Sequence, residues 1–432
     1  MKRVAIIGPD FTPSGYPPAL RIRFFAQHLQ EFGWRPTVIT VDPKYYEWSV
    51  DFESENLLPK GLEIIRTPAF SAGITRKVGI GDIGIRSLWY HWRIIRALCR
   101  EKKVDLLFIP VPPYLPAVLG RLIYQSFGIP YVIDYIDPWV NDAYKKLPKS
   151  QRRLKRTISY MFSLFLEPIV LKKVGHVVGV SKGTTDLVIA RYPWLKDSDA
   201  TEVPYGGEAG DFDYLRKNPR KNQVFNCEDG LLHISYIGAC VPDMYPTIRA
   251  LFSAVRIGKD QSPSVFERLR LHFVGTTYAA NAENMHQVVP LAREMELENI
   301  VDEHPQRIAY LDALQLLLDS HALLLVGSNR PHYTASKVFQ CILARRPLLA
   351  VVHEESSVVL ILKKTRAGDV VTFNSQDSPE GKIEKIREHL EAILSLPQGY
   401  QPPVLWDAFE TYTTRSMTAW LAHVFDKVVS RK

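Results

Sequence analysis

Short apolar runs alternate with helically spaced apolar positions along most of the chain. Val4 to Ile7 is a run of the kind buried on both faces of a parallel sheet. Gly8 to Pro18 is a loop rich in Gly and Pro. Leu20, Phe24, Phe25, Leu29 and Phe32 then recur at helical spacing, which predicts a helix over Ala19 to Phe32 closed by Gly33. Thr37 to Val41 supplies the next strand, so the unit is βαβ. The rhythm continues with strands at Asp105–Pro110, Tyr131–Tyr135 and Val177–Val180. A helix over Leu115–Phe127 ends at Gly128, and Ser181 is placed to cap the helix after the last of these strands.

A second alternating series begins near Leu231, with strands at Leu232–Ile237, Leu269–Val274, Ala322–Val326 and Leu348–Val352. Tyr205 to Asp229 reads as the linker, rich in Gly, Asp and Asn and carrying Arg216, Lys217, Arg220 and Lys221. The pattern predicts two doubly wound α/β domains, residues 1–210 and 228–405, facing each other across a cleft. A last helical stretch, Trp406 to Val429, follows a Pro-rich break, and residues 406–432 are expected to cross back onto the first domain.

Composition narrows the class. A chain of 432 residues is long for one core, and 46% apolar with 23% charged residues is ordinary for a globular protein. No apolar stretch is long enough to span a bilayer, and the N-terminus reads as a first strand rather than a signal peptide. Cys99, Cys227, Cys240 and Cys341 have no zinc or CxxC spacing and are expected to be free buried thiols in a reducing cytosol. A formal charge of +8 suits phosphates, anionic lipid or nucleic acid alike, but the absence of RNP-like aromatic clusters and zinc fingers argues against nucleic acid.

Ligands bind at the carboxyl ends of such sheets, so residues following strands are the candidates. Pro9 to Arg23 follows the first strand and enters a helix. Ser14 and Gly15 would let a ligand approach its backbone, and Arg21 or Arg23 would add charge. The loop is neither GxGxxG nor a Walker motif. Asp137, in DYIDPW, is a candidate to orient a hydroxyl or accept its proton; Asp before Pro also caps turns. In Ser328 to Val352 a polar turn leads to a helix expected to begin near Lys337, with Thr334 or Ser336 as its cap. A cation in a first helical turn is disfavoured unless an anion is bound, which makes Lys337 a phosphate candidate. Gly238, the Gly275–Thr277 turn and Arg307 to Tyr310 are weaker candidates. No HExxH, metal triad or nucleophile elbow is present in the sequence, and no metal site is expected. Residues 145–173 form a basic amphipathic segment, expected to be either a membrane-surface contact or a charged face over core.

With these segments in hand, the chain resembles the retaining glycosyltransferases of family 4, which have the GT-B fold. The resemblance rests on PSGYPPALR, IDYIDPW, VVGVSKG, VPYGGEAGDF, SYIGA and TASKVFQCILARRPLLAV, and spans nearly the whole chain. It implies metal-independent transfer of a sugar from a nucleotide-diphosphate sugar, with retention, to a glycan, lipid-linked or small-molecule acceptor. It also implies cell-surface polysaccharide synthesis in the cytoplasm or at the inner face of the membrane, with no cofactor beyond the donor. Thr334, Ser336 and Lys337 would hold the diphosphate, His332 the sugar and Gln340 the ribose, with Tyr333 and Gly238 also at the donor. His332 and Gln340 stand where many family members carry glutamates, and the family's basic pair after the SYIG-like strand is replaced near Ala239 and Met244. A non-catalytic GT-B subunit and a nucleotide-sugar epimerase or hydrolase are the alternatives.

Overall fold

A computed structural model of the chain describes residues 1–142, 144, 148, 154–277, 284–329 and 336–431. The chain divides into two compact units, Met1–Gly206 together with Thr414–Lys432, and Gly207–Thr413.

The first unit holds a parallel sheet of strands β1 Lys2–Ile7, β2 Trp34–Val41, β3 Glu63–Thr67, β4 Leu106–Val111, β5 Tyr131–Tyr135, β6 His176–Gly179 and β7 Ala200–Glu202. Their order is β3-β2-β1-β4-β5-β6-β7. The helices are α1 Pro17–His28, α2 Ile83–Arg100, α3 Ala117–Phe127, α4 Leu154–Leu171 and α5 Lys182–Arg191. Successive strand residues point to opposite faces, and the core divides accordingly. Ala5, Ile7, Ile109 and Ile133 pack with Ile95, Leu119 and Ile123 on one side. Val4, Ile6, Phe108 and Val132 pack with Phe25 and the last helix on the other.

The second unit holds a parallel sheet of β8 Leu232–Ile237, β9 Leu269–Val274, β10 Val301–His304, β11 Ala322–Val326, β12 Leu348–His353 and β13 Asp369–Phe373. The order β10-β9-β8-β11-β12-β13 is the doubly wound one. Its helices are α6 Ala209–Lys217, α7 Tyr245–Gln261, α8 Tyr310–Asp319, α9 Val338–Leu343, α10 Ser357–Thr365 and α11 Ile383–Leu394. Helix α12, Thr414–Ser430, returns to the first unit, where Met417, Leu421 and Phe425 join the core beside Phe25 and Phe108.

Several boundaries differ from the sequence reading. The first helix ends at His28, and Leu29–Phe32 tightens into a 3₁₀ turn before Gly33, whose φ of 81° closes it. The expected linker contains α6, capped by the Glu208 carboxylate accepting from the Gly210 amide. The helical stretch from Trp406 is broken: Trp406–Phe409 and a 3₁₀ turn end at extended Thr413, and the long helix starts at Thr414. Ser181 caps α5 as expected, accepting from the Thr184 amide. The four cysteines are free, but Cys227 is exposed rather than buried.

Candidate functional site

Each sheet reverses its strand order once, between β1 and β4 and between β8 and β11. Loops leaving the carboxyl ends of those strands form the crevice where open α/β sheets bind ligands. The loop after β1 and the turns after β8 and β11 are three of the segments singled out from sequence, and Asp137 follows the neighbouring β5.

After β1 the loop folds inward. Ser14 is buried, its hydroxyl accepting from the Trp48 indole at 3.1 Å and from the Tyr16 amide at 3.3 Å. It also bonds to Asp10, a buried carboxyl that burial pushes up to about 7. The Ser14 side chain is therefore part of the loop's interior, and the exposed backbone at Gly15 is what faces solvent. Arg21 does not add charge to a ligand site either. Its guanidinium is buried and makes a bidentate pair with Asp134 at 2.6 and 2.8 Å, with a further bond to the Val203 carbonyl. Arg23 is likewise buried and donates to Gln27.

Asp134 and Asp137 thus separate by role. Asp134 ends inside the sheet as the partner of Arg21. Asp137 lies beyond β5 at the surface, yet nearby protein desolvates its carboxylate enough to raise its pKa. Its charge is felt by Tyr114 and Tyr205. Tyr114 donates to the Pro138 carbonyl and stacks on Trp139, which fixes the turn that carries the acid. A carboxylate held near hydroxyl-bearing rings, with its pKa drawn upward, is suited to accepting a hydrogen bond or proton from a hydroxyl.

In the second unit the turn after β8 requires glycine. Gly238 has φ +156°, and an added Cβ would lie 3.0 Å from the Tyr236 hydroxyl. Its amide donates to Val274, and Cys240 donates to Thr276, so the turns after β8 and β9 are tied together. Thr276 is in turn held by the buried Glu303 carboxylate, which also accepts from the amides of Gln287, Val288 and Val289.

Of the polar turn after β11, His332, Tyr333 and Thr334 lie outside the described residues. Ser336 precedes Lys337 in a turn and makes no cap. Helix α9 begins only at Val338, leaving Lys337 at the cap position with helical φ and ψ, and it spans six residues. The helix begins near Lys337 as expected, but Lys337 is its cap residue rather than part of its first turn, and α9 is too short for a dipole argument to rest on; the charges at this place remain. Burial lowers the pKa of the Lys337 ammonium, and the charge of Arg307 lowers it further. Among the described residues no carboxylate pairs with Lys337. Beside it, the buried Gln340 has a side-chain oxygen without a hydrogen-bond partner among the described residues. Lys337 and Gln340 line a small recess with Tyr310, Ile237 and Leu324, and the Tyr310 hydroxyl is fixed on Asp211 at 2.6 Å.

Arg307 was only a weak candidate from sequence because β10, the strand it follows, is not legible there. Asp10 was missed as well, since nothing in its spacing announces burial. Elsewhere His272, Asp302 and His304 bring ligand atoms within 4.8 Å of one another on β9 and the edge strand β10. Those groups are part of a hydrogen-bonded chain, with His233 between Asp229 and His272 and His304 bonded to Asp302.

Comparisons with known proteins fit this architecture. Residues 18–206 match the family model of the glycosyl transferase 4-like domain. A glycosyltransferase from Rickettsia africae superposes with a TM-score of 0.59 at 13% identity, covering 100% of this chain and 99% of that one. Anabaena HepE, solved with UDP and glucose, gives 0.59 at 11% identity over 99% and 100% of the two chains. A putative UDP-N-acetylglucosamine 2-epimerase from Listeria monocytogenes gives 0.50 at 10% identity, covering 100% and 98%. No curated protein sequence matches the chain. The fold is GT-B: two Rossmann-like units, with parallel sheets of seven and six strands and flanking helices. Its first unit carries the stretch that matches the glycosyl transferase 4-like domain.

Proposed function

We propose that this protein transfers a sugar from a nucleotide-diphosphate sugar to an acceptor hydroxyl, retaining anomeric configuration and using no metal. The observation that carries the reading is the recess lined by Lys337 and Gln340, where the charge of Arg307 is also felt. A desolvated ammonium that has no carboxylate partner among the described residues, and that feels the charge of Arg307, favours an anion that relieves both costs. A diphosphate has the charge and acceptor oxygens to do so, and stabilising it as it departs would be the main catalytic contribution. Gln340 would bond the ribose, His332 the sugar, and Tyr333, Thr334 and Ser336 would complete the phosphate cradle with Gly238. Gly15, with the backbone of Ser14, would approach the donor, and Asp137 would orient the acceptor.

The comparisons support this reading in kind: a family match over the first unit and a fold shared with a protein solved with UDP and glucose. The acceptor would be a glycan, a lipid-linked species or a small molecule in cell-surface polysaccharide synthesis. The work would take place in the cytoplasm or at the inner face of the membrane.

A second reading keeps the fold and drops the transfer. Gln340, a neutral group, and His332 stand at places where the resembling family often has glutamates, which favours a non-catalytic binding subunit, and an epimerase shares the fold.

A panel of UDP, GDP and ADP sugars decides among them. Transfer predicts binding of one donor by calorimetry and little donor loss without acceptor. Lys337→Ala should then lower kcat/KM at least about tenfold, equivalent to about 1.4 kcal/mol of transition-state stabilisation. Its thermal midpoint should stay level or rise, because a desolvated charge with no carboxylate partner among the described residues is removed. Wild-type turnover in that variant overturns the phosphate role. Failure to bind any donor favours the non-catalytic subunit, and conversion of donor alone favours the epimerase or hydrolase.

A further inference from the structure

Helix α4 packs against the first unit by one face and leaves the opposite face bare. Glu167, Val170 and Leu171 are buried, and Leu166 packs on the core. Leu154, Ile158, Met161, Phe162, Phe165 and Ile169 are each between 43% and 75% exposed. At about 100° per residue these six fall within an arc of about 100°, opposite the packed face, along a length of about 22 Å. Isolated exposed hydrophobics are normal on a protein surface; six aligned along one helix, two of them phenylalanines, are a contiguous patch.

The charges flanking the stripe indicate what covers it. Lys172 and Lys173, just past its end, are exposed. In the sequence Lys145, Lys146, Lys149, Arg152, Arg153 and Lys155 lead into the helix, while Glu167, the helix's single acidic residue, is turned inward. That carboxylate is bonded by the hydroxyls of Tyr135 and Tyr192, so it leaves no negative charge on the outer face. An apolar protein partner would match the stripe but not the cations around it. A surface with anionic headgroups over an acyl interior matches both. The helix does not qualify as a span, since no helix among the described residues is long and apolar enough to cross a membrane.

We propose that α4 is a bilayer-docking element: its stripe Leu154–Ile169 inserts into the headgroup boundary of an anionic membrane, with Lys172 and Lys173 on the lipid phosphates. The first unit then lies on the lipid surface by a contact of its own. This goes beyond the transfer reading and does not depend on it, because docking needs neither donor nor acceptor.

Co-sedimentation of the full chain with vesicles tests it, without any nucleotide. Binding to phosphatidylcholine vesicles containing phosphatidylglycerol, weaker binding to phosphatidylcholine alone, and loss of that preference at high salt are expected. Phe162→Asp with Phe165→Asp should reduce partitioning at least about tenfold. Lys172→Glu with Lys173→Glu should remove the anionic preference while leaving weak neutral-vesicle binding. All four side chains are exposed, so thermal midpoints and donor binding should match wild type. Wild type staying in the supernatant with both vesicles overturns the proposal, and so does equal sedimentation of the Phe variant. A dimer in sedimentation velocity that Phe165→Asp converts to a monomer, with no vesicle binding, also overturns it and assigns the stripe to a second copy.

Discussion

At the residue scale, the informative groups are those whose burial opposes their chemistry. Asp10 is the clearest. Its carboxyl sits under the loop after β1 with one oxygen unbonded, and burial pushes it up to about 7. Below about pH 4 both folded and unfolded chains hold this proton, and its ionisation costs the fold nothing. Between the unfolded value near 4 and the folded value near 7 the unfolded chain ionises first, so stability falls as pH rises, then levels off. The burden is roughly 4 kcal/mol at most. Asp10→Asn keeps the shape and the bond to Ser14 and removes the ionisation. Urea melts at several pH values should therefore show the variant gaining on wild type as pH climbs from about 4 to about 7. Parallel curves would remove Asp10 from the account of why this loop folds inward. Spacing alone could not announce this, because an Asp in a Gly- and Pro-rich loop reads as solvated. The same blindness applied to Ser14, expected to offer its backbone to a ligand, whose side chain turns inward onto Asp10 and Trp48.

At the scale of elements, α1 is held to the sheet by the Arg21–Asp134 pair. Both side chains are essentially inaccessible, the geometry is bidentate, and Arg21 also stacks over Phe25 and Tyr205. Asp134→Ala would leave a guanidinium buried with the Val203 carbonyl as its remaining bonded partner. A loss of roughly 3–5 kcal/mol is expected in denaturant melts, whereas Asp137→Ala, at the surface, should cost under about 1 kcal/mol. Equal losses would show that the two acids had been assigned to the wrong roles. The elements also explain what the sequence could reveal. Tyr131–Tyr135, Leu232–Ile237, Leu269–Val274 and Ala322–Val326 were legible to the residue because strands buried on both faces are built mainly from apolar residues. The four strands that went unread, β3, β7, β10 and β13, are the four sheet edges. Glu63–Thr67, Ala200–Glu202, Val301–His304 and Asp369–Phe373 carry polar residues because an edge faces water and must resist pairing with strangers. Losing β10 hid the position of Arg307. Lys337 was singled out for a helix-dipole reason that the six-residue α9 does not support; that the charge of Arg307 acts on it is visible only in three dimensions.

For the whole molecule, the feature with most consequence is that the chain's last helix serves its first domain. Thr414–Ser430 belongs with Met1–Gly206, and Met417, Leu421, Val424, Phe425 and Val428 are buried there among Val4, Phe25, Trp34 and Phe108. Phe425 sits edge-on against both Trp34 and Phe108. Burying five such side chains stabilises by roughly 10 kcal/mol, as much as the entire net stability of a typical domain. The second unit has no share in that burial: its core is built from β8, β9, β11 and β12 with α7 and α11. Removing residues 414–432 is therefore expected to act on the two units unequally. The first should lose its cooperative transition in calorimetry, and limited proteolysis should degrade residues 1–206. A resistant fragment near Gly207–Thr413 should keep its own melting transition. If the truncated chain instead melts as wild type, α12 is an appendage rather than part of the first core. If both units are digested at one rate, their folding is a single cooperative event. The expected asymmetry follows from where the apolar side chains of one helix are buried, and it makes the C-terminal segment the sensitive point for the unit that carries Asp137 and the α4 stripe.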